Sequence, residues 1–235
     1  QQEVTYGRRG WKDASKVFMQ FRPRENIFVK NEPDKFVRYR FAEYQMLEAL
    51  GNASILLTLI RHADRVKIAC MTGGLGRAIA FDGEHVWKNA LYYPYFHLNR
   101  FAAEGISILP VVNGPTFNTK QYALNDFNQC HSYENVQAIE SAAVYHEDNE
   151  ELDIFLINRE IKNSIEVTIE VRGVKNIEVI ECLEMYADDL KLGNSFDKPD
   201  LIVPRVNNKF SKDGTTVKID THNLSWNVIR LETAK

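Results

Sequence analysis

A run of glycines at residues 72–76, which reads Thr-Gly-Gly-Leu-Gly, is the first stretch whose composition could support binding chemistry. Gly73 and Gly74 lack a Cβ atom, so a ligand could approach the backbone closely there. A phosphate-binding loop has little support, because no Lys-Ser or Lys-Thr pair follows the glycines. The other interpretation is a plain loop that joins a strand to a helix, and both stay open.

Aromatic residues form a second group that could contact a ligand. Trp87 is followed closely by Tyr92, Tyr93 and Tyr95. Their flat faces could stack on sugar rings, but such residues also fill the seams between packed elements. His97, in the same stretch, is interpreted either as a site residue or as a structural histidine whose ring nitrogen is satisfied by a neighbour.

The chain carries no metal-binding signature. Cys70, Cys130 and Cys182 are far apart, and no Cys-x-x-Cys pair or paired Cys/His spacing occurs. Asp188 and Asp189 are adjacent, but calcium takes about six to eight oxygen ligands. We expect no metal and no other cofactor. The cysteines are interpreted as small apolar core residues, with one disulfide left open.

Composition and charge exclude several functional classes. The 235 residues are 44% hydrophobic and 26% charged, with a net charge of −3, which is typical of globular domains. This balance disfavours a simple basic nucleic-acid binder, and no apolar run approaches the roughly 18–20 residues that span a membrane. The first three residues do not resemble a signal peptide, but a processed chain would look the same. Cytoplasmic, periplasmic and secreted locations all stay open.

The charge is unevenly distributed along the chain. Residues 1–105 carry a net charge of +5, whereas residues 106–235 carry a net charge of −8. The change in charge coincides with a change from helical patterns to short alternating strands. Two structural units that meet near Gly105 are the simplest explanation.

The sequence pattern of the first unit, residues 1–105, predicts two helices with a strand between them. One helix is expected from Asp34 to about Ile60, with apolar residues every three or four positions. Its second half is apolar nearly all round, which predicts burial on most sides. A short strand is expected over 65–71. A second helix is expected over 84–103, where Pro94 should interrupt it.

The sequence pattern of the second unit, residues 106–235, predicts an all-β domain. Ile165, Val167 and Ile169 alternate with polar residues, as in a strand with one wet face and one dry face. A long loop is expected over 113–136. Seven strands with turn residues between them favour a sandwich or jelly roll, and they are expected at 106–112, 138–146, 152–159, 164–171, 177–185, 215–220 and 225–232.

Several separate segments agree in order with one enzyme family. They lie at residues 59–70, 91–100, 142–145, 152–159, 194–200 and 224–231, the last reading Leu-Ser-Trp-Asn-Val-Ile-Arg-Leu. Together they resemble family 51 glycoside hydrolases, the α-L-arabinofuranosidases. The resemblance extends from about residue 34 to the end of the chain.

The resemblance implies a mixed fold and a glycan substrate. Residues 1–105 would be the C-terminal fragment of a (β/α)8 (TIM) barrel, and residues 106–235 an antiparallel, jelly-roll-like β-sandwich. The parent enzyme would remove terminal arabinofuranosyl units from arabinan or arabinoxylan with retention at the anomeric carbon. Retention requires two carboxyl groups about 5–5.5 Å apart. The expected partner is an arabinose-containing oligosaccharide or polysaccharide.

The resemblance places little of the catalytic machinery in this chain. The family's proton donor lies earlier in the barrel than any residue here. Glu3 is the residue nearest to the nucleophile's place, although the family's preceding acidic residue and following Trp are missing. A solvated carboxylate is the other interpretation of Glu3. The family's Gln after the last barrel strand is also missing, which leaves Gly73, Gly74 and Trp87 as candidate substrate contacts.

Three functional hypotheses therefore stay open. The chain is the C-terminal part of an arabinofuranosidase and inactive alone, a non-catalytic carbohydrate-binding module, or a structural sandwich that braces a barrel. Whether it is itself an enzyme is undecided at this point. An open sheet edge near residues 66–69 and a bared apolar helix face predict that the isolated chain forms a homo-oligomer or keeps its first unit pressed on the sandwich.

Overall fold

The computed structural model describes residues 46–70, 78–81, 84–125 and 128–234. Within these ranges two helices occur, α1 (Met46–Arg61) and α2 (Tyr92–Phe101). The strands are β1 (Ile79–Phe81), β2 (Val86–Lys88), β3 (Ile106–Ile108), β4 (Thr116–Phe117), β5 (Tyr122–Asn125), β6 (Asn128–Cys130), β7 (Val136–Gln137), β8 (Ile139–His146), β9 (Glu151–Asn158), β10 (Ile165–Glu170), β11 (Asn176–Met185), β12 (Arg205–Val206), β13 (Phe210–Asp213), β14 (Thr216–Thr221) and β15 (Ser225–Ala234).

A six-stranded antiparallel sheet forms the centre of the molecule, in the order β12-β11-β15-β9-β8-β3. The neighbouring strands β8 and β9 are buried along nearly their whole length. Strands covered on both faces read as almost continuous apolar runs, as the Ile154–Ile157 stretch does. All seven strands expected from the sequence are present; the first ends at Ile108 instead of residue 112, and the other six differ by one or two residues at their ends.

A second sheet, in the order β10-β14-β13, covers one face of the first. Strand β10 alternates as expected, with Ile165, Val167 and Ile169 turned toward the core. The contact between the two sheets is formed by buried aliphatic side chains and one thiol: Ile139, Ala143, Leu152, Ile154, Leu156, Ile177, Cys182, Val217, Ile219, Ile229 and Leu231. The expected antiparallel sandwich is therefore confirmed.

The two helices pack on the other face of the six-stranded sheet. Helix α1 contributes side chains spaced three and four residues apart, which places them on one helical face. The shared core consists mainly of Met46, Ala49, Leu50, Ala53, Leu57, Leu98, Phe101, Ala142, Val144, Phe155, Ile157, Met185, Trp226 and Val228. The helices thus share a hydrophobic core with the sandwich, the second of the two arrangements expected for the isolated chain.

The expectation that α1 is buried on most sides is wrong for one side. Leu47 is 54% exposed and Ile55 is 38% exposed, and Gly51 lies between them on the same face. Apolar periodicity identified the helix and its packed face, but it did not show that an apolar face can stay uncovered.

Two expected elements before Gly105 are also corrected. Residues 66–70 form no strand, and Val66 instead donates a hydrogen bond to the carbonyl of His62 in the turn after α1. The helix expected over 84–103 begins only at Tyr92, because β2 occupies the start of that stretch. Pro94 does not interrupt α2: it lies in the first turn, where a backbone N–H has no helical acceptor.

A buried carboxylate joins the end of α1 to the sheet. Glu140 of β8 is 7% exposed and accepts hydrogen bonds from Arg61, at 2.6 Å, and from Arg159, at 3.2 Å. The Ser54 hydroxyl donates to the same carboxylate. Three donors around one carboxylate satisfy its charge in an apolar setting.

A second ionic cluster lies beneath the end of α2. Arg230 of β15 faces Asp153 of β9 across the sheet, with 3.0 Å between Nε and Oδ1. Its guanidinium also bonds Glu151 and lies 4.3 Å from the ring centre of Phe101. His146 contacts both the Asp153 carboxylate, at 3.3 Å, and the Phe101 carbonyl. The last turn of α2 is thereby tied to two strands.

The connection expected as a long loop over 113–136 contains short strands. Strand β4 pairs with β7, and β5 pairs with β6 in a hairpin beyond them. Neither described helix is long and apolar enough to cross a membrane.

Candidate functional site

Trp87 is the one predicted site residue that the structure describes. It lies in β2, paired with Ala80 of β1 in a two-stranded hairpin, and is half-buried. Glu3, Gly73 and Gly74 lie outside the described residues. Trp87 was expected on a helix and lies on a strand instead, so its neighbours come from the hairpin and from a distant loop.

A cleft of about 310 Å³ opens beside Trp87. One wall is the β1–β2 hairpin with the start of α2, and the other is the loop that follows β11. The described residues that line it are Ile79, Val86, Trp87, Lys88, Tyr92, Pro199 and Asp200. The cleft therefore joins parts of the chain more than 100 residues apart.

Asn194 holds the two walls together. Its side-chain amide donates to the Lys88 carbonyl at 3.0 Å and to the Ile202 carbonyl at 2.9 Å. Its side-chain oxygen accepts from the Ile202 N–H at 2.7 Å. Asn194 is fully buried, and an amide both donates and accepts, so this one residue closes the loop and fixes it to β2.

An aromatic contact ties the same walls at a second point. The rings of His85 and Phe196 lie 3.6 Å apart between their centres. With Asn194 on one side and this contact on the other, the loop that carries Pro199 and Asp200 has two anchors on the hairpin.

The described lining of the cleft includes one cation, Lys88, and one anion, Asp200. Lys88 Nζ lies 5.2 Å from the ring centre of Tyr92, a cation–π distance. Burial raises the pKa of the neighbouring Tyr93 to about 12, with the Asp200 charge and Tyr92 contributing further. The Tyr93 phenol stays protonated at neutral pH and keeps its hydrogen to donate.

The described lining residues offer aromatic and polar contacts to a ligand. Asp200 is the single carboxylate among the described lining residues, whereas retaining glycoside hydrolysis needs two facing carboxyl groups. Within the described part of the chain, no three His, Cys, Asp or Glu side chains come together as a metal site requires.

The two histidines considered from the sequence have structural partners. Trp226 donates its indole N–H to His97 Nδ1 at 3.0 Å, deep in the core. Burial, with a smaller contribution from Arg100, lowers the pKa of His97 to about 4, so this ring is neutral at pH 7. His62 follows the end of α1, and its Nδ1 lies 3.0 Å from Nη2 of Arg65.

Cys182 is a buried free thiol, as expected of a core residue, whereas the Cys70 thiol is free and exposed, so that expectation is wrong for Cys70. Asp189 caps a turn by accepting from the Lys191 N–H. Sequence reasoning missed the Glu140 cluster and the role of Asn194. Asn194 was part of a segment that carried the family resemblance, which was the one available signal for it.

The described part of the chain is a two-sheet antiparallel β-sandwich domain, with two helices packed on the outer face of its larger sheet. Solved structures share it. A family 51 α-L-arabinofuranosidase from Bifidobacterium longum superposes with a TM-score of 0.73 at 20% identity, over 89% of this chain and 40% of that one. The Thermotoga maritima α-L-arabinofuranosidase, solved as an arabinose complex, gives 0.67 at 18% identity, over 87% and 41%.

The family follows from the sequence comparison. Residues 27–225 match the α-L-arabinofuranosidase C-terminal domain, and the chain belongs to that family, as the C-terminal region of a family 51 glycoside hydrolase. An intracellular exo-α-(1→5)-L-arabinofuranosidase from Acetivibrio thermocellus is 32% identical over 208 residues, which cover 86% of this chain and 39% of the relative. The Bacillus subtilis enzyme of that name, numbered 1, is 29% identical over 217 residues, which cover 87% and 40%.

The chain thus spans about two fifths of the length of the curated relatives it matches. The resemblance found in the sequence and the mixed fold class are both confirmed.

Proposed function

We propose that the chain serves as the C-terminal region of a retaining enzyme that removes terminal α-L-arabinofuranosyl units from arabinan- or arabinoxylan-type glycans. The observation that carries this proposal is the family match over residues 27–225, together with relatives named as exo-acting α-L-arabinofuranosidases. The substrate partner is an arabinose-containing glycan.

In this proposal the chain divides near Gly105. Residues 1–105 are the end of the catalytic barrel, and residues 106–235 are the sandwich that braces it. The core shared by α1, α2 and the six-stranded sheet supports the bracing role, because it would fix the last barrel helices to a rigid base. The two ionic clusters at the ends of the helices add directional contacts to that core.

The chemistry proposed for the complete enzyme uses two carboxyl groups. One attacks the anomeric carbon and forms a glycosyl–enzyme ester, while the other gives its proton to the departing oxygen and then activates water. Glu3 is the proposed counterpart of the attacking residue. Gly73, Gly74 and Trp87 are proposed to contact the sugar.

This chain alone is expected to be inactive, because proton donation by a positioned acid is worth about 10²–10⁴-fold and no recognisable donor is present. The test is hydrolysis of p-nitrophenyl α-L-arabinofuranoside by the 235-residue chain, measured beside its Glu3→Gln variant. Background release by both proteins is the expected result. Turnover by the parent chain that Glu3→Gln abolishes would contradict it.

A non-catalytic carbohydrate-binding role is the second candidate. It is favoured by one observation, the aromatic and charged cleft beside Trp87. This role is compatible with the first, because a bracing domain can also hold substrate.

A further inference from the structure

We infer that the cleft between the β1–β2 hairpin and the Pro199–Asp200 loop binds one ring of a neutral arabino-oligosaccharide. This inference rests on the proposed function for its choice of sugar. The size of the cleft, its lining, its charges and its anchored walls support the binding of a sugar ring.

The size and lining suit a single sugar ring. A volume of about 310 Å³ lies at the lower end of the range of small-molecule sites, about 300–1,000 Å³. Trp87, Tyr92 and Pro199 present flat apolar surfaces, on which the C–H groups of a sugar can pack. Lys88 offers hydrogen-bond donors and Asp200 offers acceptors, and sugar hydroxyl groups can pair with both.

The charges favour a neutral polyhydroxyl ligand over an ion. Lys88 and Asp200 both line the cleft, and neither forms an ion pair with another described residue. No ion pair joins these two described side chains, so the cleft offers a ligand a separate donor and acceptor. A phosphate would meet the Asp200 charge, and a divalent cation would find one carboxylate beside an ammonium group.

The walls are fixed before any ligand arrives. Asn194 bonds both the hairpin and its own loop, and the His85–Phe196 contact holds the loop at a second point. A preformed site loses less conformational entropy when it binds than a site that must be ordered. The rigidity therefore favours measurable affinity from a small number of contacts.

The Trp87 indole adds an independent observation. Its Nε1–H is buried and has no hydrogen-bond partner among the described residues, although a buried Trp N–H usually has one. The other described tryptophan, Trp226, donates to His97. The indole N–H of Trp87 is therefore a probe of the cleft, and the indole N–H of Trp226 is a probe of the core.

The experiment is a titration of the 235-residue chain with α-(1→5)-L-arabinotriose. Calorimetry gives the affinity, and ¹H–¹⁵N spectra follow the three indole N–H signals, assigned with Trp87→Phe and Trp11→Phe. We expect saturable binding that shifts the Trp87 signal and leaves the Trp226 signal in place. No heat and no shift at millimolar ligand, or equal shifts at both indoles, would overturn the inference.

Variants locate the site. Trp87→Ala and Tyr92→Ala should each weaken binding by between about twofold and tenfold, because each removes one aromatic contact with the sugar. Tyr133→Ala is the matched control: Tyr133 is 60% exposed and does not line the cleft. Asp200→Asn covers the case in which Trp87→Ala fails to fold, because Asp200 is exposed in a loop. Unchanged affinity in Tyr92→Ala and Asp200→Asn would overturn the assignment.

Two further ligands separate this inference from the proposed function. Inorganic phosphate should not compete, and cellotriose, a hexose trimer, should bind at least about tenfold more weakly. Competition by phosphate would overturn the cleft as a sugar site and leave the enzyme assignment intact. Equal binding of cellotriose would contradict the pentose preference that comes from the proposed function, while the cleft would still bind sugar.

Discussion

On one face of the six-stranded sheet, the contact with the three-stranded sheet consists almost wholly of aliphatic side chains. On the face beneath the helices, the same strands place Glu140, Asp153 and Arg230 among the apolar residues. Residues of opposite parity along β8, β9 and β15 thus face very different surroundings.

The difference indicates what each face specifies. Aliphatic packing stabilises a contact but is tolerant of small shifts, whereas hydrogen-bonded charges fix geometry and stabilise it less. Glu140 meets α1 through Arg61, and Arg230 meets α2 through the ring of Phe101. We interpret the helix-facing surface as the one whose orientation matters, because it joins the sandwich to the proposed barrel.

The largest loss of stability is expected from a substitution that breaks the Arg230–Asp153 ion pair. Arg230→Met should cost about 3–5 kcal/mol of unfolding free energy, because the Asp153 carboxylate is 1% exposed and would lose its guanidinium partner, keeping only His146 beside it as a described basic neighbour. Adding Asp153→Leu should restore most of the loss, since an apolar pair can replace an ion pair. Urea unfolding of both variants measures this. A double variant as unstable as the single one would show that the pair itself stabilises the fold.

The second prediction uses the neutral His97. Its pKa is about 4 in the folded chain and about 6.5 when unfolded, so the unfolded state takes up a proton first as the pH falls. His97 should therefore contribute stability above pH 6.5, and up to roughly 3 kcal/mol of it should be lost between pH 6.5 and 4. His97→Gln should flatten this part of the stability profile.

The matched control for the His97 experiment is His131→Gln, because His131 is exposed. Its stability profile should follow that of the parent chain. The interpretation is wrong if His97→Gln keeps the full pH dependence.

The third prediction concerns close packing where α2 ends. A Cβ at Gly105 would lie 2.3 Å from Val144 Cγ1 and 2.8 Å from His146 Cε1. Gly105→Ala should therefore cost about 1–3 kcal/mol. Gly114→Ala, whose Cβ meets nothing within 4 Å, is the control and should leave the melting temperature almost unchanged. Equal melting temperatures for the two variants would contradict this packing.

The smallest loss of stability is expected from a pair of substitutions that compares the apolar packing of the two sheet faces. Ile154 faces the three-stranded sheet and Ile157 faces the helices, and both are buried. Each change to Val should cost about 0.5–1.5 kcal/mol, because both remove one buried methylene. A clear inequality between the two would show that the faces differ in apolar packing and not only in charged groups.

Much of this fold was predictable from the sequence. The strands were identifiable because Ile165, Val167 and Ile169 alternate with polar residues and because turn residues separate the runs. The start of α2 was not, because Trp87 fits a helical period as well as it fits a short strand. Pro94 marks a helix interruption or a first turn equally well, and only the strand before it decides.

The polar contacts were less predictable. Glu140, Asp153 and Arg230 lie within apolar runs, but sequence alone does not show which charged residue meets which. The Trp87 cleft is a further example, because its second wall comes from Pro199 and Asp200, more than 100 residues away. Long-range pairing of this kind depends on the packed fold rather than on local pattern.

The central claim is that this chain completes an arabinofuranosidase. The most direct measurement joins the part of the Acetivibrio thermocellus relative that precedes its matched region to this chain and follows hydrolysis of α-(1→5)-L-arabinotriose by NMR. We predict that the chimera releases arabinose as the α-anomer first, while this chain alone releases none. A folded chimera without activity, or release of the β-anomer first, would contradict the account.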